Sequence, residues 1–76
     1  MVLKALKLRK MKTYDIQFND NENSNSKGFK ETFDYCKDYI ANNNGSGMSY
    51  FADYKGGTVS IVENETGETV YEEPVK

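Results

Sequence analysis

The chain has 76 residues, 37% of them hydrophobic, with six Tyr, four Phe, no Trp, one Cys, no His and a formal charge of −2. That length bounds one domain with a small core, which aromatic rings must help to fill. A single cysteine excludes an internal disulfide, and no Cys/His cluster offers a zinc site. The missing histidine removes the commonest general base and any Ser-His or Cys-His pair.

Charge is unevenly placed. Residues 1–12 carry Lys4, Lys7, Arg9, Lys10 and Lys12 without an acid (+5), whereas residues 13–76 set five Lys against twelve acids (−7). The apolar run Met1-Val2-Leu3 is broken by Lys4, far short of the roughly 7–15 apolar residues of a secretion signal. No stretch approaches the ~18–20 apolar residues of a membrane span. On a helical wheel Arg9 and Lys10 fall among the apolar positions, which argues against a membrane-surface helix. Residues 1–10 therefore read as a basic extension appended to a domain of residues 11–76. An extra strand or helix, or a basic arm for nucleic acid or lipid, are the alternatives. The expected compartment is the cytoplasm. The sequons Asn44-Gly45-Ser46 and Asn64-Glu65-Thr66 carry no weight without a secretion signal. Nine Lys to one Arg, with eight Asn, fit an AT-rich coding sequence of bacterial, plasmid or phage origin.

From Lys12 to Asn19 the residues alternate, with Tyr14, Ile16 and Phe18 on one side, which predicts a half-buried strand. The Asn/Ser run over 19–26 predicts a turn. A short second strand is expected through Lys27–Lys30; because Phe29 keeps step with Phe33, a helix starting near Ser26 is the alternative, which Gly28 argues against. Phe33, Cys36 and Ile40 share one helical face, Thr32 suits the N-cap, and Gly45 can take the left-handed position after the helix. Met48 to Tyr54 alternates again and precedes Lys55-Gly-Gly-Thr58, which predicts a strand and a tight hairpin with Tyr54 opposite Val59 and Ala52 opposite Ile61. A turn over Glu63–Glu68 leads to an edge strand with Val70, Tyr71 and Val75. Its acids and Pro74 discourage edge-to-edge pairing. The sum is an α+β domain of ββαβββ order: an antiparallel sheet of four to five strands with one helix on one face.

One stretch has the look of a metal site. From Asp20 to Glu31, oxygen-bearing side chains stand at positions 1, 3, 5, 7 and 12 of a twelve-residue window, the ligand spacing of a calcium loop. Position 6 is Asn25 instead of glycine, position 8 is Lys27, and the upstream flank is a strand. The stretch is therefore expected to be a connection, with no metal or cofactor. Cys36 sits on the apolar helical face, as a small core residue does. Asp34 and Asp38 have ordinary helix-surface spacing and are poor candidates for a carboxylate pair. No enzyme is expected.

Two function classes remain. The first is a non-enzymatic interaction domain that binds an unknown protein partner or a second copy through the sheet face the helix leaves open, with Phe51, Val62 and Tyr71 as the interaction face. The second is a nucleic-acid-related regulator. It would bind through the basic tip, which the acidic body opposes, or mimic nucleic acid with Glu63, Glu65, Glu68, Glu72 and Glu73.

Overall fold

A computed structural model describes residues 12–76, so the reading of residues 1–10 as an extension lies outside the described residues. Strand β1 (Tyr14–Asn19) is followed by β2 (Ser24–Ser26), helix α1 (Phe33–Asn43), helix α2 (Ser49–Asp53), β3 (Thr58–Glu63) and β4 (Thr69–Pro74). The strands form one antiparallel sheet in the order β2-β1-β3-β4. This is the expected α+β domain, an antiparallel sheet with helix across one face. One element is exchanged: the chain runs ββααββ, because the segment around Met48–Tyr54 is helical.

The core follows from the strand alternation. Ile16 lies opposite Ile61 and Phe18 opposite Val59 on the two central strands, and all four are fully buried. Side chains of alternate residues share a face, so Tyr14, Ile16, Phe18, Val59 and Ile61 form the floor on which the helices rest. Cys36 and Ile40 of α1 and Phe51 of α2 close it from above. Fully burying a residue of this kind stabilises the fold by about 1.5–3 kcal/mol.

Helix α1 begins as its sequence requires. Thr32 Oγ1 accepts from Tyr35 N at 3.0 Å, and Asp34 stands in the first turn, where negative charge is favoured. At the far end Gly45 takes φ +92°, a conformation that costs glycine little.

Helix α2 replaces the predicted strand for a packing reason. Its rings pack edge-on or tilted against the floor: Phe51 on Phe18 at 4.9 Å and Tyr50 on Phe18 at 5.3 Å between ring centroids. Tyr50, Phe51 and Tyr54 are one, three and four positions apart, which sets them on one side of a helical turn. A strand would have sent Phe51 to the face opposite Tyr50 and Tyr54. The partners predicted for the hairpin are accordingly different. Val59 pairs with Phe18 and Glu73, and Ile61 pairs with Ile16 and Tyr71.

The connection into β3 is tight. A Cβ on Gly57 would stand 2.2 Å from the Asn19 carbonyl oxygen, so only glycine lets the α2–β3 connection pass the end of β1.

The second strand also lies elsewhere than expected, over Ser24–Ser26. The residues after it stay beside β1 without forming a regular ladder. Lys27 N donates to Ile16 O, and Tyr14 and Glu31 exchange both backbone bonds. Between these points the Asp15 carboxylate takes the place of a strand partner, accepting from Ile16 N at 2.7 Å and Phe29 N at 2.8 Å.

Candidate interaction surface

The calcium-like stretch comprises a hairpin turn, β2 and the segment leading into α1. Asp20 Oδ1 accepts from Glu22 N at 2.8 Å and Asn23 N at 2.7 Å, while Asp20 N donates to Asn23 O. The first carboxylate of the twelve-residue window therefore serves the backbone of its own turn. Glu31, the last, sits at the entrance of α1. Among the described residues no three Cys, Asp or Glu side chains gather as a metal-holding group. An open hollow of about 510 Å³ beside the turn is lined by polar residues and glycine, among them Asn19, Asp20, Glu22, Lys55 and Gly57.

The three residues expected to form one interaction face are separated. Phe51 is 1% exposed, deep in the core, because α2 turns it onto Phe18. Tyr71 lies opposite Ile61, on the helix-covered face, with Lys37 Nζ 4.0 Å from its ring centroid. Val62, opposite Asp15, is on the open face. Its surroundings there are Asp15 and Thr69 directly opposite, Val70 beside Thr69 at the irregularity between β3 and β4, and Gln17, Ser26, Ser60 and Glu72 further along. A hollow of about 180 Å³ on this face is lined by Asp15, Gln17, Ser26, Asn64 and Val62. Val70, next to Tyr71 on β4 and therefore turned to the opposite, open face, is 42% exposed, so the apolar part of this face consists of two valines among polar side chains.

The acid run is likewise divided. Glu63 is buried beside Thr66, whose hydroxyl donates to Glu63 Oε1 at 2.7 Å. Glu73 accepts from the Tyr71 hydroxyl and from Asn44 Nδ2 at 2.7 Å. The Tyr71 bond above all, with Asn44 and the Lys76 and Lys37 charges adding to it, holds the Glu73 carboxyl below its ordinary value against partial burial. Of the five, Glu65, Glu68 and Glu72 are exposed, Glu73 is half-buried and Glu63 is buried.

Cys36 is fully buried, and its thiol points at Tyr14 O, 3.7 Å away. Burial first, then the charges of Asp15 and Glu31, push the thiol up to about 11. A thiol so held is not a nucleophile at neutral pH.

What the alternation pattern does not reveal is an aromatic surface on the β2 side of the helical layer. Phe29 packs edge-on against Tyr35 at 5.7 Å and Tyr39 at 5.2 Å, and Tyr39 packs on Phe51 at 6.0 Å. Lys27 Nζ stands among three rings, 5.4 Å from Tyr50, 5.8 Å from Tyr39 and 6.0 Å from Phe29. Phe29, Tyr39 and Tyr50 are half-buried, and Tyr35 is 46% exposed. A signal for it is present in the helix: Tyr35 and Tyr39 stand four apart, off the Phe33/Cys36/Ile40 stripe, and share a side with each other.

Among the described residues no helix is long and apolar enough to cross a membrane. Compared with models of protein families, with curated proteins and with solved structures, the chain finds no match in any of the three.

Proposed function

We propose that the chain is a small non-enzymatic interaction domain, and that it meets its protein partner, or a second copy of itself, through the aromatic rim on the β2 side and not through the open sheet face. The observation that carries this reading is the run of rings from the core outward, Phe51 to Tyr39 to Phe29 to Tyr35, ending half-exposed. Tyr and Phe are among the residues that centre protein interfaces, since they bury much area with little loss of side-chain freedom. The rings are already fixed by one another, so little further ordering is needed on contact.

The test replaces Tyr35 with Ser in one variant and Val62 with Ser in another. Sedimentation and capture on immobilised wild-type chain are then compared. The rim variant should lose self-association or partner capture, and V62S should keep it. If V62S loses it instead, the contact lies on the sheet face, and if neither changes, the interaction reading is overturned.

A second reading has one observation in its favour. Lys27 among Phe29, Tyr39 and Tyr50 is the pairing of cation and ring faces on which unpaired bases stack. A gel shift with single-stranded RNA and DNA at two salt concentrations, with and without residues 1–10, tests it. Binding should weaken with salt and be lost on replacing Lys27 and Tyr39. The excess of acids over the body of the chain is why this reading stands second.

A further inference from the structure

Asn44 joins three parts of the chain. Its backbone N–H donates to Ile40 O and closes α1. Its Nδ2 donates to Glu73 Oε2 at 2.7 Å and to Pro74 O at 2.9 Å. Its Oδ1 accepts from Lys76 N at 2.8 Å. One carboxamide thus ties the end of α1 to β4 and to the last residues of the chain. Behind this tie Val75 is buried in the core, with Val75 N donating to Gly57 O at 3.0 Å and Gly56 N donating to Val75 O at 3.2 Å.

The residue after Asn44 is Gly45, which is exposed and has φ +92°. An asparagine followed by glycine is the pair most prone to cyclise, because no Cβ hinders the following amide nitrogen as it approaches the side-chain carbonyl. We infer that Asn44 is a deamidation site gated by its own hydrogen bonds, and that its product keeps the C-terminal strap from closing again.

The chemistry needs only water. Gly45 N, having given up its proton, forms a bond to Asn44 Cγ. The Cγ–Nδ2 bond breaks, and ammonia leaves with the proton. The resulting succinimide takes up one water and opens to aspartate, or to isoaspartate with a main chain one carbon longer. While the strap is closed, Nδ2 and Oδ1 are held by Glu73, Pro74 and Lys76 and cannot turn toward Gly45 N. The rate therefore follows the fraction of molecules in which the strap is open. After conversion, an oxygen replaces Nδ2. It faces the Glu73 carboxylate and the Pro74 carbonyl, neither of which has a proton to give. Two attractive contacts become repulsive, and the new side chain is charged. Unlike the binding of a ligand, this change does not reverse when conditions return.

The test follows the intact chain in mildly alkaline buffer by mass spectrometry of the peptide containing residue 44. The same chain in urea, the variant V75A and the peptide containing Asn64 (followed by Glu65) serve as comparisons. Asn44 should convert more slowly in the folded chain than in urea, several-fold faster in V75A, and ahead of Asn64 throughout. Equal rates in the folded and urea-treated chain, or no acceleration in V75A, would overturn the gating.

A second arm reads amide exchange at Val75 in N44D and in N44D/E73Q. Exchange should quicken several-fold in N44D and return toward the wild-type rate in N44D/E73Q, where the carboxamide introduced on β4 can donate to the new carboxylate. Wild-type exchange in N44D, or no recovery in N44D/E73Q, would sink the inference, and recovery also guards against a variant that merely misfolds.

Discussion

Beside β2 the helical layer is joined to the sheet mainly by rings: Phe18 meets Tyr50, Phe51 and Tyr54, and Phe29 meets Tyr39, with one side-chain hydrogen bond from Asn25 Nδ2 to Tyr54 Oη at 2.7 Å. Beside β4 the same two layers are joined by hydrogen bonds: Asn44 to Glu73, Pro74 and Lys76, and Tyr71 to Glu73. The two joints respond to different changes. Ring packing depends on area and shape, so it is indifferent to mild acid and sensitive to truncation. The polar joint, with Val75 buried behind it, depends on the protonation of one carboxylate and weakens when one donor or acceptor is altered. In a domain this small, each joint is a large share of the whole.

Variants can break this comparison, beginning with the ring side. Phe18→Ala should cost about 3–5 kcal/mol in urea unfolding followed by circular dichroism, since a truncated Phe leaves both lost contacts and a cavity. Phe51→Ser should be at least as damaging, where a residue on an interaction face would have left stability untouched. A loss under about 1 kcal/mol in either variant would show that the rings do not hold this side together. Next comes the connection between the joints. Gly57→Ala should cost about 1–3 kcal/mol by the same measurement, because the added carbon meets the Asn19 carbonyl and the backbone must shift.

The polar side should show itself in pH dependence. Glu73 is held below its ordinary value of 4.5 in the folded chain, chiefly by the Tyr71 hydroxyl. Its contribution is therefore present above the unfolded value and is lost as pH falls through that value toward the lower folded one. Tyr71→Phe should lower stability at neutral pH by about 0.5–1.5 kcal/mol and flatten the acid limb of the melting-temperature profile. A variant with an unchanged acid limb would mean that another carboxylate governs it. The smallest effect belongs to the rim itself. Tyr35→Ser should shift stability by no more than about 0.5 kcal/mol, while weakening association in sedimentation.

How much of this is legible in the sequence depends on whether each element carries its own period. Tyr14, Ile16 and Phe18 alternate because β1 has one buried face, and Thr32, Phe33, Cys36, Ile40 and Gly45 mark α1 with cap, stripe and stop. Each of these patterns places an element of the fold. Ser24–Ser26 leaves no trace, because β2 joins the sheet through its backbone while all three side chains are exposed.

Met48 to Tyr54 reads as a strand because over so few residues a strand and a single helical turn fit the same apolar positions. The pairing of Phe51 with Phe18, far away in sequence, decides between them. That one exchange moves Phe51 from the surface to the core and puts the sheet between it and Val62. The aromatic rim is harder to see still. Its members come from the segment after β2, from α1 and from α2, and only the packed chain brings them together.

The central ladder also dictates an order of assembly. β1 pairs with β2, and β3 with β4, across short turns, but β1 meets β3 only when Tyr14 reaches Glu63 and Asn19 reaches Thr58, with both helices between. Closing so long a loop is entropically unfavourable until α1 and α2 offer a surface on which the two hairpins can meet. The ladder at the centre of the finished sheet is thus the one that closes the longest loop, and until it forms the inner edges of β1 and β3 are left unpaired.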